Sequence, residues 1–237
     1  MNNTPMNKII LIALTFLSSF SFAQTEKAAN ANVPVFLNVG FGIAEYEIYD
    51  AYDIGANSTN ENAKVYGTQI DLSAMVEKET IHRFQEKIPA DVRDATLKLE
   101  QFSVTSAYIP DTLFISPRKD HVQAYGATWG FIVKAAAGIS FFKLGVSGGP
   151  IITYLNYNDD RESKTIHFIR PGLRGTIFAR MPLFTKYLQL EVGGLGDLYV
   201  SQKFYGEDKS VWNIKGQYAM LHFLIPFEME NPFKDEK

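Results

Sequence analysis

Six charged residues fall on the small-residue faces of extended segments: Asp71, Lys134, Arg170, Arg174, Glu191 and Asp197. Side chains alternate between faces along a strand. Asp71 therefore shares a face with Gln69 and Ser73, and Lys134 with Gly130, Ile132 and Gly138. Arg170 and Arg174 share theirs with Gly172, Thr176 and Arg180, while Glu191 and Asp197 stand with Gln189, Gly193 and Leu195. The tight connection Pro182-Leu183-Phe184-Thr185 is expected to place Arg170 nearly opposite Asp197, with Arg174 diagonal to Glu191. Charges of both signs on an enclosed face must pair or bear a heavy desolvation cost. A structural ion-pair core is the first reading; a polar conduit or ligand contact is the second.

Nucleophilic chemistry needs a nucleophile with a nearby base, and the four histidines do not supply one. His167 falls on the apolar face of its segment, near a loop. His222 points to the polar face without a Ser or Asp in its own segment, and His82 and His121 stand alone. No set of His, Asp and Glu has metal-ligand spacing. Gly145–Gly149 and Gly193–Gly196 are not phosphate loops, because no helix start follows them. The expectation is a non-enzymatic protein without cofactor or metal.

The elements that must position these residues are long alternating strands. In 187–200 the even positions (Leu188, Leu190, Val192, Leu198, Val200) make an apolar face and the odd ones a mixed face of mostly polar and small residues. Tyr125, Trp129, Phe131, Val133, Ile139 and Phe141 make one face of 125–141. Ile169, Leu173, Ile177 and Met181 face away from the arginines in 165–181. Leu221, Phe223, Ile225 and Phe227 line one side of 211–227. Val35, Leu37, Val39, Phe41 and Ile43 alternate with Asn38, Gly40 and Gly42, and Tyr66, Ile70, Leu72 and Val76 with Gln69, Asp71 and Ser73.

Connections are short at one end (142–143 and 182–185) and longer and polar at the other (47–63, 158–163 and 204–210). Tracing direction from the first strand counts seven, at 34–46, 64–77, 122–141, 144–157, 164–181, 186–202 and 211–227. Closure requires an eighth, for which 100–115 is the candidate although Pro110 weakens it. Residues 78–99 differ. Ile81, Phe84 and Ile88 recur at helical spacing, and Pro89-Ala90-Asp91 suits the start of a second helix. This charged insertion is expected on the short-turn side, as a solvated helix pair rather than a plug.

Alternation suits a barrel in a membrane and a soluble one alike. The polar faces here are Gly, Ser, Thr and Gln rather than the Lys and Glu of water-facing strands, as a narrow lumen requires. Aromatic residues gather at strand ends: Tyr125 and Trp129 at one, Phe141 and Phe227 at the other. The strands also outrun the usual five or six residues. In these respects residues 33–77 and 100–227 resemble the small eight-stranded outer-membrane β-barrel proteins of Gram-negative bacteria. The resemblance is one of architecture, without a catalytic motif. It departs from the usual pattern in the polar tail after Phe227 and in the size of the 78–99 insertion.

Lys8, an apolar run over 9–17 and a small-residue site ending at Ala23 read as a secretory signal peptide. The run is far short of the roughly 20 residues a spanning helix needs. The chain has no cysteine, so neither a lipid-attachment site nor a disulfide framework is present. Its formal charge of −3 leaves no electrostatic footprint for nucleic acid. The expected layout is a signal peptide at 1–23, a periplasmic segment at 24–32, an all-β antiparallel barrel at 33–227 carrying the insertion, and a polar tail at 228–237. The expected role is structural or interactive in the outer membrane, including as an assembly subunit. Its partners would be outer-membrane lipid and envelope proteins met through 47–63, 78–99 or the tail. A soluble periplasmic barrel binding an apolar ligand, and a lipid-modifying outer-membrane hydrolase, are the alternatives.

Overall fold

Long runs in which apolar side chains occupy every second position bury one face of a sheet and leave the other for a different solvent. The sheet here closes on itself. The computed structural model describes residues 32–50, 63–85, 98–119, 122–159, 164–199 and 212–230. The expected signal peptide and periplasmic segment up to residue 31, the middle of the 47–63 loop, residues 86–97 with the expected second helix, His121 and the tail beyond residue 230 lie outside the described residues.

Among the described residues, ten strands and one helix follow in order: β1 (Asn32–Asp50), β2 (Ala63–Glu77), α1 (Lys78–Gln85), β3 (Leu99–Thr105), β4 (Thr112–Lys119), β5 (Val122–Gly130), β6 (Val133–Ile139), β7 (Phe142–Asp159), β8 (Lys164–Leu183), β9 (Thr185–Tyr199) and β10 (Trp212–Glu230). β3 with β4, and β5 with β6, each form one interrupted stave of the wall. The ten strands therefore make eight staves, and β1 closes the ring by pairing with both β2 and β10. Every pairing whose register is defined is antiparallel. The compact body is Pro34–Phe227.

The expected eighth strand exists in two pieces, extends to Lys119 and is interrupted at 106–111, around Pro110. The 125–141 segment is likewise split at Phe131-Ile132. The helical spacing after residue 77 yields the eight-residue helix α1, and Thr80 Oγ1 ties it down by donating to Pro34 O at 2.7 Å.

The faces divide as the alternation predicts. Phe41, Ile43, Ile152, Ile169, Leu173, Ile177, Phe223 and Ile225 point out of the barrel and are exposed. Asn38, Gln69, Asp71, Thr128, Arg174, Glu191, Asp197 and His222 point in and are buried. An apolar outside around a polar inside is the reverse of a water-soluble domain. No described helix is long and apolar enough to cross a membrane.

Pairing partners across β8 and β9 differ from the expectation. Arg174 stands opposite Asp197 and Arg180 opposite Glu191, whereas Arg170 pairs in register with Thr153 on β7. The chain reverses at Phe184, whose φ of 53° is the left-handed value a tight reversal demands. The register then shifts between Pro182 and Leu183. Gln189 Nε2 donates to Lys186 O at 2.9 Å across that irregularity. Asp197 thus faces Arg174 rather than Arg170, an offset of an even number of residues, so every side chain keeps its face while its partner changes.

Candidate functional site: the lumen ion-pair core

Two polar clusters fill the middle of the barrel. The one nearer the long loops centres on Arg174. Its Nε and Nη2 donate to Asp197 Oδ1 and Oδ2, both at 2.7 Å, in a bidentate fork. Its Nη1 reaches across the lumen to Asp111 Oδ2 at 2.9 Å and Thr112 Oγ1 at 3.0 Å. Asp197 also accepts from Tyr199 OH at 3.2 Å, and the same phenol oxygen lies 2.9 Å from the Thr153 hydroxyl. Gln69 Nε2 donates to Thr112 Oγ1 at 3.0 Å and to Tyr46 OH.

The second cluster centres on Glu191, which is completely buried. Arg180 grips Glu191 Oε2 through Nε at 2.8 Å and through Nη2. Lys134, three strands away in the sheet, spans the lumen to Glu191 Oε1 at 3.2 Å and Asp71 Oδ2 at 2.6 Å. Tyr218 OH donates to Glu191 Oε1 at 2.8 Å. His222 holds Nε2 3.4 Å from Glu191 Oε2 and Nδ1 3.0 Å from Asn38 Oδ1, and Asn38 Nδ2 donates to Ser73 at 2.9 Å. One anion is thus met by three basic side chains, a phenol and, through His222, a relay back to β1.

Apolar layers bound this core on both sides. Toward the loops Tyr46 packs edge-on against Phe114 with centroids 5.0 Å apart, in one cluster with Ile48, Val65, Leu155 and Ile214. Phe36, Met75 and Leu224 form a second apolar layer. Space inside is made by residues without side chains. A Cβ on Gly40 would lie 2.7 Å from His222 Nδ1, and Arg180 and Lys134 sit 5.4 Å and 5.7 Å from the Phe178 ring.

Between the clusters remains a cavity of about 30 Å³ lined by Gln69, Asp71, Asp111, Lys134, Arg174 and Thr176 among others. Asp71 Oδ1 and Asp111 Oδ1 face no protein donor. The cavity has room for a water molecule and the polar walls to hold one, but not for a solute.

Of the six residues singled out in the sequence, five find partners among themselves: Lys134 with Asp71 and Glu191 in one cluster, and Arg174 with Asp197 in the other. Arg170 is buried as well, but it is not Asp197's partner. Arg180, Asp111, Tyr218, His222 and Asn38 were not singled out for this core and are part of it. Arg180 lay on the right face, at even spacing from Arg174. Asp111 was hidden because it follows the break at Pro110. Among the described residues no group of three or more His, Cys, Asp and Glu is arranged to hold a metal ion. His222 is sealed in, and His167 is exposed outside, edge-on to Tyr154 at 5.5 Å.

No protein family matches the chain, and no curated protein matches it. Among solved structures, Neisserial surface protein A is similar with a TM-score of 0.49 at 11% identity, over 79% of this chain and 96% of that one. The attachment invasion locus protein of Yersinia pestis is similar with a TM-score of 0.45 at 6% identity, over 81% and 98%. The N-terminal β-barrel domain of OprF from Pseudomonas aeruginosa gives 0.34 at 10% identity, over 78% and 97%.

Proposed function

We propose that the chain is an integral β-barrel of a Gram-negative outer membrane, exported by a signal peptide cleaved after Ala23, with a structural or interaction role. One observation carries this reading: the barrel turns its large apolar side chains outward and closes its interior with a buried ion-pair core. Outward Ile, Leu and Phe need lipid, and an eight-stave lumen packed with paired charges has no room for solute flow. The same inversion of faces speaks against an apolar-ligand carrier, whose apolar face would line the cavity. The sealed His222 speaks against a lipid hydrolase, whose base must reach its substrate.

In this reading the ion-pair core is a structural element. It sets the stagger of the staves and makes the barrel a rigid support for its loops, for α1 and for the tail, through which envelope partners would be met. Two measurements test it. Alkaline carbonate extraction of cell envelopes is expected to leave the protein in the pellet, and release into the supernatant would contradict the reading. Refolded protein in a planar bilayer is expected to give no stable conductance; a persistent open channel would overturn the closed-lumen part.

A further inference from the structure

Two lumen carboxylates are bonded through one oxygen and bare at the other. Asp71 Oδ2 accepts from Lys134 Nζ at 2.6 Å, and Asp111 Oδ2 from Arg174 Nη1 at 2.9 Å. Their second oxygens, Asp71 Oδ1 and Asp111 Oδ1, are buried and meet no protein donor. The residues are 3% and 6% exposed, and both line the same cavity of about 30 Å³. A bare ionised oxygen in a protein interior is costly. Two of them on one cavity call for a donor that the chain itself does not supply.

The break before β4 is what brings Asp111 to this cavity. Thr112 points inward, where it accepts from Gln69 and Arg174. Regular alternation would then send Asp111 to the other face. Its backbone is held instead by Ile70 N, which donates to Asp111 O at 2.8 Å, and by Thr128 O, which accepts from Asp111 N at 2.9 Å. Asp111 is thus tied beside Asp71, with its own side chain in the lumen as well.

The chemistry of the walls selects the ligand. An alkali ion touching both Oδ1 atoms would stand one carboxyl group away from the Lys134 ammonium and the Arg174 guanidinium, which already oppose those charges. Water meets no such repulsion. It donates two hydrogen bonds, one for each bare oxygen, and the hydroxyls of Thr105 and Thr176 on the cavity wall can turn to donate back. A buried water needs about 10–15 Å³ and two to four polar partners, and the cavity offers both.

We propose that resident water, one molecule or a hydrogen-bonded pair, bridges Asp71 Oδ1 and Asp111 Oδ1. Asp71 belongs to the Glu191 cluster through Lys134, and Asp111 belongs to the Arg174 cluster. The water therefore joins the two clusters into one network, as a direct hydrogen bond would. This inference concerns the lumen alone and holds whichever solvent surrounds the barrel.

Crystals of the purified protein, grown in parallel from sodium chloride and from rubidium chloride, test it. The expected result is density in the cavity within hydrogen-bond distance of both oxygens, about 2.5–3.0 Å, directly or through a linked pair of peaks. The rubidium crystals are expected to show no anomalous signal there. An anomalous peak would identify a cation site and overturn the water. An empty cavity would overturn it too, as would an Asp71 or Asp111 whose Oδ1 meets a protein donor directly.

Discussion

Lys134 Nζ and Glu191 Oε1 meet at 3.2 Å across the lumen, from staves that share no ladder hydrogen bonds. Ladder bonds tie each strand only to its neighbours, so this contact and the Asp71 bond beside it are cross-braces. A barrel built this way resists ovalisation, and its interior charges are committed to one another rather than to a passing ion.

Glu191 is the centre of the brace. Glu191→Ala leaves Arg180 and Lys134 facing each other without their shared anion. Removing one partner from a buried ion pair costs about 3–5 kcal/mol. Urea unfolding of the refolded protein in detergent or lipid is expected to show a loss of that order, and a loss indistinguishable from surface substitutions would refute the brace.

Around Arg174 the same logic gives a sign reversal. Arg174→Met strands two carboxylates, Asp197 and Asp111, and is expected to destabilise strongly. Arg174→Met combined with Asp197→Asn and Asp111→Asn removes the charges together and is expected to recover about 1 kcal/mol or more of the loss. A triple variant less stable than the single one would contradict the assignment.

Gly40 is a packing constraint. A methyl group there lies 2.7 Å from His222 Nδ1 and 3.0 Å from Asp71 Cβ, so Gly40→Ala must displace the ring from Asn38. The expected cost is about 1–3 kcal/mol, and the His222 ring resonances should move by NMR. Unchanged stability and unchanged resonances would remove His222 from the core.

The outer face gives a prediction that depends on the solvent. Leu173 is 61% exposed at the middle of β8. In lipid, Leu173→Arg is expected to cost about 2–4 kcal/mol at the bilayer centre. On a water-facing surface the same change would stay within about 0.5 kcal/mol.

Faces were legible in the sequence, and partners were not. Parity along a strand decides whether Arg174 points in, and any even register slip preserves that, so the alternation of 165–181 and 187–200 sufficed. Which anion Arg174 meets depends on the irregularity after Pro182, which no periodicity records. Asp111 was invisible for a related reason: the break around Pro110 disrupts the alternation that would have assigned it to the lumen. Lys134 and Glu191 were on the inner face by parity, but their contact across the ring depends on closure and stagger, which only the whole sheet determines.

The most direct test of the central claim is heat-modifiability after envelope fractionation. Outer-membrane and periplasmic fractions are run on a denaturing gel with and without boiling. The account predicts protein in the outer-membrane fraction that migrates faster unboiled, because the closed, braced barrel resists detergent until heated. Protein in the periplasmic extract with no mobility shift would contradict it.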